Sequence, residues 1–426
     1  MQMVIYVVMP GDSVYSIAAE YGISAEKIIA DNRLTDGNSL AVGQTLVIQI
    51  PSQVHTVAAG ESLLEIARQY GTTVDALLRN NPELNGKALI YPGQVLTIFL
   101  DTQRQGKLAV NGYAYPFIEQ GELRRVLPYL TYLTVFTYGI DGEGNLFAPD
   151  DTQMIRMAKE YGVAPVMHIS SLNAEGYFDN TLSTALLENP DAQSNFIEQV
   201  VRVVQEKGYE GVDIDFEFVP AEEAEAYIQL VTGLRIAVNA LGYEVIVALA
   251  PKTSATQRGI LYEGHQYQGL GSAADRVLLM TYEWGYTYGP PMAVAPINKV
   301  EEVVRYALTE IPPEKIYLGI PAYGYDWILP YQQGRAARSL GPQEAIQLAI
   351  AKQAQIEYDY TAQAPYFYYW QGGEQHVVWF EDARSVREKL ALAEAYDLYG
   401  VAYWNLMRPF PQNWLVLNGN YEIIRK

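Results

Sequence analysis

Glu210-Gly211-Val212-Asp213-Ile214-Asp215-Phe216-Glu217 sets a carboxylate at every second position from Asp213 onward, with apolar residues between. A β-strand sends alternate side chains to one face, so this spacing predicts Asp213, Asp215 and Glu217 stacked as an acidic column. Packed carboxylates repel one another and lose solvation. That raises the proton affinity of at least one of them and makes a candidate general acid at neutral pH. A solvated edge strand alternates in the same way, but the flanks argue against one here. Phe196, Val200, Val201 and Val204 recur at helical spacing, and Gly208 reads as the stop of that helix. After Pro220 a second helical stretch, Ala221 to Leu241, ends at Gly242 and leads into the apolar strand Val245 to Ala250. A strand set between helices is buried on both faces, which places the column inside a parallel sheet or barrel, near the strand's C-terminal end.

Working outward, strand patterns recur at Leu108 to Tyr113, Leu133 to Tyr138, Ala164 to Ile169, Gly211 to Glu217, Val245 to Ala250, Val277 to Tyr282, Ile316 to Ile320 and Gly400 to Trp404. Helical patterns separate most of them, among them Thr152 to Tyr161 and Val300 to Thr309, so a (β/α)8 TIM-type barrel over residues 101–426 is the simplest closure. Only the seventh connection is too long for one helix. Its residues, about 328–380, carry a helical piece around Pro342 to Gln353 and a hairpin, Tyr366 to Trp370 with His376 to Phe380, turning at Gly372-Gly373. This reads as a small α+β insertion walling one side of the cleft.

The first hundred residues hold an internal repeat. Val8-Met9-Pro10-Gly11-Asp12-Ser13 returns as Val57-Ala58-Ala59-Gly60-Glu61-Ser62, Ile17-Ala18 and Tyr21-Gly22 as Ile66-Ala67 and Tyr70-Gly71, Asn32 as Asn81, and Val42-Gly43-Gln44-Thr45-Leu46 as Pro92-Gly93-Gln94-Val95-Leu96. Each copy, 1–50 and 51–100, reads as strand, helix, helix, strand, with Gly22 and Gly71 as helix stops. Pro51-Ser52-Gln53 reads as a short linker between the copies, and 101–106 as one to the barrel. The fold class is therefore α/β: a barrel with an α+β insertion, preceded by two small βααβ modules. The barrel is expected to supply its own core, with the modules as tethered additions.

Composition narrows the partners. With 29 basic against 49 acidic side chains the net charge is -20, which excludes a basic footprint for nucleic acid or an anionic membrane surface. The chain has no cysteine, and its histidines, His55, His168, His265 and His376, lack metal-ligand spacing, so neither a metal nor another cofactor is expected. Met1 to Met9 is apolar but has no basic leader or cleavage site, so no signal peptide is expected. No apolar run is long enough for a transmembrane helix. Aromatic side chains make up 12% of the chain, and flat rings with a polar handle suit sugar faces as well as cores.

The repeats resemble LysM modules, which bind N-acetylglucosamine-containing glycans such as peptidoglycan and chitin. The acidic strand resembles the signature of family 18 glycoside hydrolases, Asp-Gly-x-Asp-x-Asp-x-Glu. Met280-Thr281-Tyr282-Glu283, Gly319-Ile320-Pro321-Ala322-Tyr323-Gly324 and Trp404 extend that likeness across the barrel. The resemblance implies that Glu217 protonates the glycosidic oxygen while the substrate's own acetamido oxygen attacks carbon, an exception to the two-carboxylate scheme. It implies that Asp215 holds the acetamido N–H and shares a proton with Asp213 or Glu217, that Tyr282 donates to the acetamido carbonyl, and that Trp404 floors the distorted sugar, with Glu283 at the substrate. The sequence departs from the family pattern at Glu210, Phe216 and Glu283, and at His168-Ile169-Ser170-Ser171, which lacks a frequent Gly-Gly. His168 reads as a substrate contact or, as readily, a hydrogen-bonded core histidine.

Two LysM-like modules ahead of such a barrel are similar to the spore-germination glycosylases, cortex-fragment-lytic N-acetylglucosaminidases. That likeness implies peptidoglycan of the spore cortex as substrate, cleavage after N-acetylglucosamine, and a place in the bacterial spore or cell wall. A chitinase, or a non-catalytic glycan-binding coat or wall protein, are the alternatives.

Overall fold

The computed structural model describes residues 3–35, 37 and 39–426. Met1 and Gln2, at the head of the apolar run, and Asp36 and Asn38, in the first repeat, lie outside the described residues.

Both repeats fold as β1 (Val4–Val7), α1 (Val14–Tyr21), α2 (Ala25–Asn32), β2 (Thr45–Ile48), then β3 (Pro51–Thr56), α3 (Leu63–Gln69), α4 (Val74–Asn80), β4 (Val95–Leu100), each with its two strands antiparallel. Ser13 and Ser62 cap α1 and α3, each accepting from the amide three residues on. The repeated asparagine has a structural task. Asn32 donates to the carbonyls of Ile28 and Val47 and accepts the Val47 amide, and Asn81 does the same with Leu77 and Thr97. One side chain thus sews the second helix of each module to its closing strand. Pro51-Ser52-Gln53 is not a linker: Pro51 opens β3 and pairs with Leu100, a first-in-strand position where the missing proline N–H is tolerated.

The barrel comprises β5 (Gly106–Ala114), β6 (Tyr132–Ile140), β7 (Ala164–Ser170), β8 (Gly211–Asp215), β9 (Glu244–Leu249), β10 (Arg276–Leu279) and β11 (Ile316–Pro321). Next comes the insertion, β12 (Gly324–Leu329), β13 (Arg338–Leu340), β14 (Glu357–Asp359), β15 (Ala364–Gln371) and β16 (Glu374–Trp379). It forms an antiparallel sheet in the order β13-β12-β16-β15-β14, begins at Gly324, ahead of the expected 328, and carries the helix Pro342–Lys352. Gly372 and Gly373, with φ of 61° and 85°, make its hairpin turn, as the Gly-Gly pair predicts. The last barrel strand, β17 (Gly400–Trp404), pairs in parallel with both β11 and β5, and the eight barrel strands close. Ala109, Tyr113, Ala164, Val166, Ile246, Ala248, Leu278 and Ala402 fill the interior, while a larger apolar layer lies between the strands and the surrounding helices.

The modules do not hang on the barrel as tethered additions. The helix Pro411–Asn420 has its residues from Gln412 to Gly419 buried, covered by the barrel on one side and by both modules on the other. Thr45 and Gln412 bond each other twice, Arg79 donates to Asn418, Asn418 donates to Asn80, and Arg33 forks onto Glu122 at 2.7 Å. Val47 belongs to the barrel's apolar core. The first module also meets the insertion: the Ile356 amide donates to the Val42 carbonyl at 2.8 Å, and a Cβ on Gly43 would stand 1.8 Å from the Ile356 oxygen. The corresponding turn of the second module, at Gly93, is open.

Candidate active site

Asp213 and Asp215 project from β8 to one face, as the alternation predicts, but β8 ends at Asp215. Glu217 lies in the following loop, two residues past the ladder, and Phe218 just after it takes a left-handed backbone with φ of 55°. Tyr282 likewise lies beyond β10, not on it, and is followed by Glu283 with φ of 67°. A left-handed non-glycine residue costs on the order of 1–3 kcal/mol. Here one follows the candidate acid and the other the candidate tyrosine.

Asp213 is fully buried under the column. The Tyr113 hydroxyl donates to its Oδ2 at 2.6 Å. Burial nevertheless pushes this carboxyl up to about 6, against the pull of His168 and the Tyr113 bond and with a further push from Asp215. One oxygen of Asp213 and one of Asp215 are buried without a hydrogen-bond partner among the described residues. His168 is a buried, bonded histidine, not a substrate contact: its Nδ1 lies 2.7 Å from the Thr137 hydroxyl and its Nε2 3.5 Å from Asp215 Oδ2.

Glu217 faces a cavity of about 340 Å³ that is also lined by Asp215, Tyr282, Met280, Tyr115, Phe136 and Trp404. Burial pushes its carboxyl up to about 8, helped by the negative charges of Asp215 and Glu283. At neutral pH it therefore holds its proton, the state a general acid needs. Trp404, at the end of β17, packs edge-on against Phe136 with ring centres 4.9 Å apart and offers an apolar face to the cavity. The Tyr282 phenol is half-buried, and desolvation together with the neighbouring carboxylates pushes it well above its ordinary range, so it is a hydrogen-bond donor at every working pH. Glu283 stands at the exposed rim, where the Tyr323 and Tyr325 hydroxyls donate to it. Phe216 turns away from the cavity into the layer behind β8, stacked on Tyr227.

A group that sequence reasoning passed over holds the acid's loop. His265 is fully buried, and the Ala250 amide donates to its Nδ1 at 2.9 Å, which fixes the hydrogen on Nε2. That Nε2 donates to the Phe216 carbonyl at 3.0 Å, the peptide link to Glu217. Burial lowers the imidazole's proton affinity and keeps the ring neutral, so the tautomer holds. Lys252 in turn donates to the His265 carbonyl at 3.1 Å. Among the described residues no cluster of three or more His, Asp or Glu side chains is arranged to hold a metal ion. No described helix is long and apolar enough to cross a membrane.

Comparison with known proteins agrees with this geometry. The family model for glycosyl hydrolases family 18 matches residues 104–408, and that for the LysM domain matches residues 6–49 and 55–99. The chain is 41% identical to the cortical fragment-lytic enzyme of Bacillus subtilis, covering 100% of this chain and 99% of that protein. The crystal structure of the Bacillus cereus spore cortex-lytic enzyme SleL superposes with a TM-score of 0.84 at 35% identity, over 100% of this chain and 99% of that one. A chitinase from Chromobacterium violaceum aligns with a TM-score of 0.68 at 26% identity over 73% of this chain and 98% of its own.

Proposed function

Because the chain belongs to the glycosyl hydrolases of family 18 and joins that barrel to two LysM domains, we propose that it hydrolyses spore-cortex peptidoglycan after N-acetylglucosamine, with retention of configuration. The observation that carries this reading is the Glu217 carboxyl, held protonated in the cavity beside Asp215, Tyr282 and Trp404. The likeness to a cortical fragment-lytic enzyme along the whole chain, modules included, supports the substrate.

Glu217 gives its proton to the glycosidic oxygen as the bond from C1 to that oxygen breaks. The acetamido carbonyl oxygen of the same sugar forms the new bond to C1, giving an oxazolinium intermediate. Water then attacks C1, the ring opens, and Glu217 takes the water's proton. Glu283 is not required as nucleophile: it stands at the rim and is occupied by two tyrosine hydroxyls. Asp215 accepts the acetamido N–H and stabilises the positive charge that grows beside it. Tyr282 donates to the acetamido oxygen and aims it at C1, worth up to several powers of ten in effective concentration. Trp404 supplies the apolar floor. The two LysM domains bind the glycan outside the cleft, which places the enzyme at the spore cortex or cell wall.

The reading is tested by incubating the full chain with purified cortex fragments and, separately, with chitin oligomers. Faster release of new reducing ends from cortex fragments is expected. Turnover of chitin oligomers alone would support a chitinase, and turnover of neither a glycan-binding wall protein.

A further inference from the structure

The catalytic cavity is the middle of three that run together. On one side a cavity of about 610 Å³ shares Tyr115, Phe136 and Phe178 with it, and on the other a cavity of about 320 Å³ shares Tyr115 and Trp404. The charged residues lining all three are Asp150, Asp215, Glu217, Glu283 and Arg408, so Arg408 is the single cation of the cleft among the described residues. It follows β17 on the loop from Trp404, and its stem lies on Gly341, where an added Cβ would meet it at 3.1 Å. Its Nη1 donates to the Ser339 hydroxyl at 2.9 Å, and no described carboxylate pairs with it. A guanidinium has five N–H donors in a fixed fork, and the one side-chain bond to Ser339 leaves the others unspent on a residue that lines the cavity.

This matters because the chain carries a net charge of -20 and its cleft is otherwise acidic. A neutral glycan such as chitin offers a guanidinium hydroxyl and amide oxygens but no charge to pair with. Peptidoglycan offers one. If N-acetylglucosamine occupies the site over Trp404, the alternating polymer puts a muramyl residue next to it on either side, and wherever that residue is not closed into a lactam it carries a carboxylate on its lactyl arm or on the attached peptide. We propose that Arg408 receives the carboxylate of the muramyl residue adjoining the cleaved N-acetylglucosamine, and so selects peptidoglycan over neutral N-acetylglucosamine polymers. The proposal rests on the cortex reading above. Ser339, on the insertion strand β13, positions the fork, which gives the insertion a share in substrate choice.

The test uses the full chain and a cortex tetrasaccharide in two forms, with free carboxyls and with the same carboxyls converted to amides. Arg408→Gln should raise KM for the free-carboxyl form at least about tenfold, as for loss of a charge-assisted hydrogen bond. It should change KM for the amide form far less, while Arg408→Lys recovers part of the loss. The wild-type preference for the free-carboxyl form should shrink as salt is added. An equal effect of Arg408→Gln on both forms would mean that Arg408 only braces the loop against Ser339, and no effect on either would mean that it is idle. Either overturns the proposal and leaves the cortex reading standing. A wild-type enzyme that cuts neither form but does cut chitin oligomers would overturn both.

Discussion

Replacing Glu217 by Gln removes a proton donor and also a carboxyl that the fold holds at a cost. Its proton affinity rises from the ordinary 4.5 to about 8 because burial and the charges of Asp215 and Glu283 disfavour the ionised form. Between those two values the native state binds a proton that the unfolded chain has released. Stability associated with this group is therefore fully present below about 4.5 and is lost as pH rises toward 8. Gln titrates in neither state. The unfolding free energy of Glu217→Gln minus that of wild type should grow by about 3 kcal/mol between about pH 5.5 and pH 8.5. The slope is diagnostic, because altered packing of the amide shifts the difference equally at every pH. Urea unfolding across that range, followed by fluorescence and circular dichroism, reads it directly. Turnover should fall at least 10²- to 10⁴-fold, roughly the share of general acid catalysis. A stability difference that stays flat with pH, or narrows as pH rises, would refute the claim that the fold forces this carboxyl to stay protonated.

Other expectations follow from the same geometry. The basic limb of kcat/KM should fall near pH 8, as the free enzyme's Glu217 loses its proton, and a limb near pH 5 would deny Glu217 that role. His265→Ala should cut kcat by roughly ten- to a hundredfold with little change in KM and displace that basic limb, because the Phe216 carbonyl loses its donor and the acid's loop its anchor. An unchanged pH profile would leave His265 a packing residue. Deleting residues 1–100 should lower the melting temperature and the activity on small soluble fragments as well as on whole cortex, since it uncovers the helix Pro411–Asn420. Unaltered melting would mean that the modules serve only as tethers.

The barrel was legible because eight apolar strands alternate with helices, and the acidic column because a strand repeats every two residues. The insertion's hairpin was announced by Gly372-Gly373, which the turn needs at positive φ. The end of the column was not. Glu217 continues the alternation in sequence, yet the chain leaves the ladder after Asp215, where His265 takes up the Phe216 carbonyl. A histidine 49 positions away that captures a main-chain oxygen leaves no periodic trace. His168 offered two readings, and only its neighbours Thr137 and Asp215 decide between them. The docking of the modules was hidden for a similar reason. Contacts such as Thr45 with Gln412 or Arg79 with Asn418 join residues more than 300 apart, and either residue reads as an ordinary surface polar group in isolation. The Pro51 to Gln53 segment reads as a linker and folds as the start of a strand because proline and small polar residues mark both alike.

In the proposed reaction the substrate's acetamido group attacks carbon while Glu217 protonates the leaving oxygen. Proton NMR of a cortex tetrasaccharide, recorded in the first minutes of digestion, tests it directly through the anomeric signal of the freshly released end. N-acetylglucosamine is expected at the new reducing end, formed first as the β-anomer and only later mutarotating. An α-anomer formed first, or a new muramic acid reducing end, would contradict it.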